Sequence, residues 1–215
     1  MNKDSRKGAR RDRGKRISTR TPDLGYYFIV TDTKETEINY FNGFRDSIIE
    51  PLRDRIVIKV FKTTTKGMLK KCLEMIAIEP QYRIPWIVFD RDQIKNFDEI
   101  IFDAESHYIN VGWSNPCIEI WLHAYFSDMP NCADSVKCVN NFSNAFQKQT
   151  KQEYDKADSD LYKKLCQFGN EKIAILTAKK RYKNNAKNKP SEMYSTTTLF
   201  RLIEEIKQKT DSAKQ

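Results

Sequence analysis

An alternation of short apolar runs with stretches of helical spacing constrains the fold most. Runs at 26–30, 56–61, 84–89 and 109–113 are five or six residues long and rich in β-branched and aromatic side chains, as expected for buried strands. Between them, apolar residues recur every three or four positions. Strands that alternate with helices form βαβ units. The sequence therefore predicts an α/β fold with a mostly parallel, four-stranded sheet and helices on both faces.

The helical spacing predicts where the connecting helices lie. The first covers about 35–50, the second contains Leu69 and Ile76, the third contains Phe97 and Ala104, and the fourth covers about 117–126. From about 135 the chain reads as wholly helical, ending in a helix at about 196–209. We expect a flexible basic arm at 1–22, an α/β core at 23–134, and a helical C-terminal segment at 135–215 that packs on the core.

Charge is distributed unevenly along the chain. The net charge is +9, but residues 1–20 carry +7, 21–147 carry −5, 148–190 carry +7 and 191–215 carry none. An acidic body flanked by basic segments suits a polyanion that approaches a site made of carboxylates. No apolar run approaches the ~20 residues that cross a bilayer, and no apolar segment follows the basic N-terminus as in a secretory signal. We expect a cytoplasmic protein without membrane contact.

The cysteines give no sign of a disulfide framework or a zinc site. The chain has five cysteines, an odd number, with no CxxC pair, and only two histidines. We therefore expect free thiols in a reducing cytoplasm.

Acidic side chains follow several predicted strands. Asp32, Glu35 and Glu37 come after the first strand, Asp90 and Asp92 after the third, and Asn115 and Glu119 after the fourth. In an open parallel sheet these positions meet at one edge, where ligands bind. Carboxylate oxygens are the ligands that Mg²⁺ or Mn²⁺ prefers. With basic flanks, the pattern indicates metal-dependent chemistry on a phosphodiester.

Each acidic motif also has a simpler interpretation. Asp-x-Asp after a strand is common turn chemistry. Acidic residues near Glu37 favour the first turn of a helix. Asn115 and Pro116 form a turn that starts a helix equally well.

Basic residues supply candidate nucleic-acid contacts. Those in the arm are Arg6, Lys7, Arg10, Arg11, Arg13, Lys15 and Arg16. Arg91 and Asn115 lie beside the predicted acidic site, and a dense cluster follows at Lys179, Lys180, Arg181 and Lys183. A solvated tail and a solvated helix face are the alternative interpretations of the arm and of the cluster.

Four segments together resemble a known family. They are YYFIVTDTKETEINYFNGFRD, IVFDRD, VGWSNPCIEIWLHAYF and MYSTTTLFRLIEEI. In this order they resemble the RloB-like proteins, small prokaryotic proteins related to the Toprim nuclease superfamily and associated with anti-phage defence. The resemblance runs from about residue 1 to 207, because a basic arm is also usual in that family.

The resemblance implies a Toprim-like fold with a magnesium site. On this sequence Asp90 and Asp92 match the family's Asp-x-Asp, Glu37 matches the acidic residue that opens the first helix, and Glu119 lies in the Asn-Pro-x-x-Glu-x-Trp-Leu segment. The family usually has Glu-Gly after the first strand, whereas this chain has Asp32 and Thr33. Asp32 keeps the charge on a shorter side chain.

These features lead to two functional expectations. The first is a Mg²⁺- or Mn²⁺-dependent endonuclease, acting on RNA or DNA in phage defence. Related systems pair such a nuclease with an ATPase, and no glycine-rich phosphate loop is visible in this chain, so we expect a companion ATPase. The second is a non-catalytic nucleic-acid-binding or regulatory subunit with a vestigial acidic site. RNA or DNA specificity, the activation trigger and the oligomeric state stay open.

Overall fold

The computed structural model describes residues 26–31, 35–79, 81–82, 84–92 and 94–212. The predicted arm at 1–22, with its seven candidate contacts, and Asp32 lie outside the described residues.

Five strands form one sheet. They are β1 (Tyr27–Thr31), β2 (Ile56–Val60), β3 (Ile84–Asp90), β4 (Asn110–Asn115) and β5 (Thr196–Thr197), in the order β2-β1-β3-β4-β5. β1 to β4 are mutually parallel, whereas β5 runs antiparallel to β4. The predicted α/β fold with a mostly parallel sheet is confirmed. The sequence did not predict β5, because two residues are too few to show a strand period.

Eight helices surround the sheet in the described residues. They are α1 (Thr36–Asp46), α2 (Thr65–Ile78), α3 (Phe97–Ser106), α4 (Glu119–His123), α5 (Ser135–Thr150), α6 (Leu161–Phe168), α7 (Glu171–Asn185) and α8 (Leu199–Ser212). The C-terminal part is mostly helical rather than wholly helical, because a loop at 151–160, a short 3₁₀ turn at Pro190–Glu192 and β5 lie between its helices.

Two helices are shorter than the apolar spacing predicted. α1 ends at Asp46 rather than near 50. α4 covers only five residues, because the chain beyond it tightens into three-residue hydrogen bonds, in which the amides of Ala124, Tyr125 and Phe126 bind carbonyls three positions earlier. Apolar spacing persists through such turns, so sequence alone places a helix end poorly.

The two faces of the sheet bury separate apolar clusters. All five residues of β1 are buried, and their side chains alternate between the faces. Tyr27 and Ile29 join the cluster formed with α1 and α4–α8. Phe28 and Val30 join the cluster formed with α2 and α3. β1 is therefore the centre of a three-layer arrangement, as its continuous apolar run predicts for a buried parallel strand.

A largely buried carboxylate joins the C-terminal helices to one another. Oε1 of Glu171, at the start of α7, accepts hydrogen bonds from the Tyr125 hydroxyl at 3.1 Å and the Tyr162 hydroxyl at 3.0 Å. Lys207 of α8 forms an ion pair with the same carboxylate. Tyr40 of α1 reaches the network through the Tyr125 hydroxyl at 2.8 Å. Because Tyr125 donates to Glu171, Tyr40 donates to Tyr125.

No helix in the described part of the chain is long and apolar enough to cross a membrane. All five cysteines are free thiols, and only Cys166 is exposed.

The close approach of backbone at Gly169 gives a stability prediction. A Cβ at this position would lie 2.6 Å from the carbonyl oxygen of Tyr125 and 2.8 Å from that of Leu165. Backbone cannot rotate away as a side chain can, so Gly169→Ala should lower the free energy of unfolding by about 1–3 kcal/mol. Thermal or urea unfolding followed by circular dichroism measures the change.

Gly67→Ala is the matched control. The added methyl group would meet the hydroxyl end of Thr63, a side chain that can rotate, and alanine is favoured over glycine within α2 by about 0.4–1 kcal/mol. Equal stability losses in the two variants would show that backbone contact at Gly169 is not the cause.

Candidate functional site

A cleft of about 900 Å³ opens at the carboxyl ends of the parallel strands. The chain leaves β1 toward β2 on one side, and β3 lies on the other side of β1. The connections therefore diverge around the end of β1, which is where open α/β sheets bind ligands. Five carboxylates and three lysines line the cleft among the described residues: Glu35, Glu37, Asp90, Asp92, Glu119, Lys62, Lys66 and Lys156.

The structure brings together every predicted acidic site residue that it describes. Glu37 lies in the first turn of α1, Asp90 ends β3, Asp92 follows it, and Glu119 begins α4, and all four line the cleft. Glu37 and Glu119 are 3% and 2% exposed, whereas Asp92 is exposed. Asp32 lies outside the described residues.

The turn after β3 is attached to the connection between β4 and α4. The amide of Arg91 donates to the Ser114 carbonyl at 2.8 Å, and that of Asp92 donates to the Pro116 carbonyl at 3.0 Å. Oδ2 of Asp90 accepts from the Ile118 amide at 3.1 Å. Asp92 has a φ of 29°, a conformation that aspartate tolerates better than most residues. This turn therefore holds both carboxylates at fixed positions on the cleft wall.

Glu119 lies at the end of a hydrogen-bonded chain that the sequence analysis missed. Its Oε1 accepts from the Tyr154 hydroxyl at 3.1 Å and lies 3.6 Å from the Lys156 ammonium. The Tyr154 oxygen is 3.1 Å from the Thr36 hydroxyl. Since Tyr154 donates to Glu119, Thr36 donates to Tyr154. The segment after α5 thus fixes a buried carboxylate against the first turn of α1.

The pKa shifts report how closely these charges lie. Burial and then the Glu119 charge raise the pKa of Tyr154. Burial lowers the pKa of Lys156, but the charge and hydrogen bond of Glu119, with smaller contributions from Cys117 and Glu37, outweigh burial and raise that pKa overall. The pKa of Cys117 is raised by its hydrogen bond to Cys138, by burial and by nearby carboxylates. Lys156 therefore stays protonated and Tyr154 and Cys117 stay neutral near neutral pH.

The carboxylate oxygens of the cleft suit a hard divalent cation, but the described residues do not form a complete coordination site on their own. Carboxylates are the donors that Mg²⁺ prefers, yet no group of three or more His, Cys, Asp or Glu side chains within the described ranges is arranged to hold a metal ion. Asp92 accepts from the Ser135 hydroxyl at 2.8 Å, and Glu119 is held by Tyr154 and Lys156. Mg²⁺ usually takes one or two carboxylates and keeps several waters or substrate phosphates. The residues present fit a site of that kind.

Arg91 and Asn115, the two predicted nucleic-acid contacts beside the acidic residues, do not line the cleft itself. Arg91 lines a smaller pocket of about 260 Å³ beside the cleft, and its guanidinium donates to the Asp92 carbonyl at 2.6 Å. Asn115 is fully buried, and its amide donates to the carbonyls of Pro190 and Ser191 at 3.1 Å. Asn115 therefore holds the 3₁₀ turn against the end of β4.

The basic cluster of α7 separates into internal and exposed residues. Lys179 forms an ion pair with Glu204 of α8. The Arg181 guanidinium donates to Asn131 at 2.7 Å and to the Met129 carbonyl. Lys180 and Lys183 are exposed. The cationic side chains that line the cleft come from other elements.

The sequence analysis also missed the lysines of the cleft. Lys62 and Lys66 follow β2, so the rule that parallel strands end at one edge applies to them as it does to the carboxylates, and it could have placed them in the cleft. Tyr154 and Lys156 follow a helix instead, and no motif marks their return to the sheet edge.

The comparisons with known proteins identify the family. A model of the RloB-like protein family matches residues 27–206, which include all five strands and every described residue of the cleft. Comparison with curated proteins and with solved structures found no match. The family match covers most of the chain and contains, apart from Tyr26, the four segments that carried the resemblance, so the chain belongs to the RloB-like family.

Proposed function

We propose that this protein is a Mg²⁺- or Mn²⁺-dependent, Toprim-type endonuclease. The observation that carries the proposal is the convergence of Glu37, Asp90, Asp92 and Glu119 in one cleft, from three separate strand ends. Three lysines share the cleft with them, which supports a phosphate-bearing substrate. The family resemblance extends the proposal to a cytoplasmic effector of phage defence that acts on RNA or DNA with a companion ATPase.

The residues divide into ligands, positioning groups and phosphate contacts. Asp90, Asp92 and Glu37 would hold the cation, with Asp32 as a further ligand or acid/base. When bound, the cation supplies Lewis-acid polarisation of the phosphate and activation of water. Tyr154 and Lys156 orient Glu119, which keeps a buried acceptor aimed at the cleft.

The lysines contribute electrostatic attraction for the substrate. Lys66 lies in the first turn of α2 and Lys62 precedes the helix, and both are exposed. The first amides of the helix also favour an anion. Lys156 stands on the other side of the cleft beside Glu119. Lysines on two elements could therefore attract a phosphate once a cation offsets the carboxylates of the cleft.

A non-catalytic nucleic-acid-binding or regulatory subunit is the second candidate. Two observations favour it. No three His, Cys, Asp or Glu side chains of the described residues are arranged to hold a metal ion, and Asp32 stands where the family usually has glutamate. Under this proposal the cleft carboxylates maintain local structure alone.

Removal of the Asp90 and Asp92 carboxylates should distinguish the nuclease from the non-catalytic subunit. Asp90→Ala/Asp92→Ala should reduce cleavage by at least about 10²-fold, because it removes two of the three described carboxylates that would hold the cation. It should also abolish the rise in melting temperature that Mn²⁺ causes by binding the folded state. Cleavage of mixed RNA and DNA substrates, with the neighbouring gene's product added, measures the first effect, and thermal melts of the isolated chain with and without Mn²⁺ measure the second.

Glu74→Ala is the control for the loss of an acidic residue. Glu74 is an exposed residue of α2 that does not line the cleft, so its removal should leave cleavage and the Mn²⁺ effect unchanged. Full activity in the Asp90/Asp92 double variant would place the chemistry elsewhere. No Mn²⁺ effect on the unmodified protein would favour the non-catalytic subunit.

The N-terminal arm should contribute phosphate contacts. Residues 1–20 contain nine Lys or Arg and two Asp. On duplex DNA, each neutralised phosphate contributes roughly 0.9 to the slope of log K against log salt. Deleting the arm should therefore weaken binding and flatten this slope, measured by fluorescence anisotropy at several salt concentrations.

A neutral arm provides the matched control for the deletion. Replacing the nine basic residues by glutamine keeps the length, and it should reproduce the flatter slope. A slope unchanged by either variant would assign the arm to protein contacts.

Cleavage should depend on a partner protein. A nuclease with an open acidic cleft and basic flanks endangers its host unless access is controlled. The isolated chain should therefore be weak or silent in Mg²⁺ or Mn²⁺, and addition of the neighbouring gene's product should raise its activity. Strong cleavage by the purified chain alone would exclude partner control.

A further inference from the structure

Helix α3 presents an acidic surface with an aromatic residue at its centre. Glu99, Phe102, Asp103 and Ser106 recur at the spacing of one helix face, and all four are exposed. Phe102 is 75% exposed and Tyr108, just beyond the helix, is 91% exposed. The ten residues of α3 include four carboxylates and neither Lys nor Arg. We call Glu99, Phe102, Asp103, Glu105 and Tyr108 the acidic face.

Helix α7 presents a surface of opposite charge with the same layout. Ile173, Leu176, Lys180 and Lys183 lie along one side of the helix and are exposed. Ile173 and Leu176 are 51% and 65% exposed. The opposite side of α7 packs in the core through Ala174 and Ala178. We call these four residues and Lys172 the basic face.

Most charges on these two faces are available to a partner. The cationic residues of α7 that hold the fold together, Lys179 and Arg181, point to α8 and to the 129–131 segment instead. On α3, Asp98 is used internally by Ser191 at 2.8 and 2.6 Å. Asp103 lies 3.4 Å from His107.

Exposed apolar side chains ringed by charges of one sign are typical of docking surfaces. Nucleic acid would satisfy the lysines of the basic face, but a phosphate backbone gives Ile173 and Leu176 no apolar contact, and it would be repelled by the acidic face. A second copy of this chain supplies both an opposite charge and an apolar contact. Its acidic face offers carboxylates to the lysines and Phe102 to the apolar pair.

We propose that the acidic face of one copy docks on the basic face of another, so that the protein associates head to tail. The inference does not depend on the proposed nuclease activity. Contacts between unlike surfaces generate rings or open chains rather than two-fold pairs. One helix against one helix falls below the ~1,200 Å² of a standard interface. The association is therefore weak, and it is favoured at high protein concentration and low salt.

Sedimentation equilibrium of the nuclease-treated full chain tests the proposal. The average mass should rise with concentration in the micromolar to submillimolar range, and the rise should diminish at high salt. A mass that stays monomeric at low salt over this range would overturn the proposal. Association that is present in an untreated sample and absent from the nuclease-treated one would also overturn it.

Charge reversal tests which faces meet. Glu99→Lys/Asp103→Lys on α3, or Lys180→Glu/Lys183→Glu on α7, should each weaken association by at least about tenfold, which is about 1.4 kcal/mol. All four changes in one chain restore opposite charges and should restore association. Failure of this rescue, with folding verified by circular dichroism, would contradict the pairing.

Truncation of the apolar anchors gives an independent test. Phe102→Ser/Tyr108→Ser removes the anchors of the acidic face, and Ile173→Ser/Leu176→Ser removes those of the basic face; all four side chains are exposed, so the core is untouched. Each variant alone should be monomeric. A mixture retains one intact face of each kind and should form one-to-one complexes that grow no further. Two variants that stay monomeric when mixed would overturn the proposal.

Discussion

The carboxylate of Glu171 links helices α6, α7 and α8 to α1 and to the end of α4, which pack on one face of the sheet. Two tyrosine hydroxyls donate to it, and Lys207 neutralises it. Its side chain is only 9% exposed, and a buried charge is costly unless it is both paired and hydrogen-bonded. The network meets that condition in one arrangement of α1, α4, α6, α7 and α8. The same groups in any other packing would leave a charge or a phenol unsatisfied.

This attachment matters because the cleft is built from both parts of the chain. Glu37 and Asp90 stand at strand ends of the α/β core, whereas Ser135 and Lys156 belong to the C-terminal part. The core alone would contain the carboxylates but lack the hydroxyl that binds Asp92 and the lysine that balances Glu119. The family match also spans both parts. The cleft therefore requires the whole fold rather than the βαβ units alone.

The sequence predicted those features that follow from local periodicity and from one topological rule. Short apolar runs located β1 to β4, and the rule that parallel strands end at one edge correctly predicted that Glu37, Asp90 and Glu119 converge. What it missed depends on contacts distant in sequence. β5 exists because Thr196 and Thr197 pair with β4, more than eighty residues earlier. Tyr154 lies in the loop at 151–160 and contacts Glu119 because that loop returns to the sheet edge. No residue pattern in the sequence predicts the course of such a loop.

The balance of charge in the cleft bears on what it can bind. Five carboxylates and three lysines line it among the described residues. One of these lysines, Lys156, is already paired with Glu119 at 3.6 Å. Without a further cation, this surface repels a phosphate more than it attracts one. One divalent cation would offset the excess of two carboxylates, so that the lining would be neutral overall and Lys62 and Lys66 could attract a phosphate locally. Under the proposed function, metal and substrate binding should therefore be coupled, each raising the affinity for the other, because the cation would remove the repulsion that opposes the phosphate.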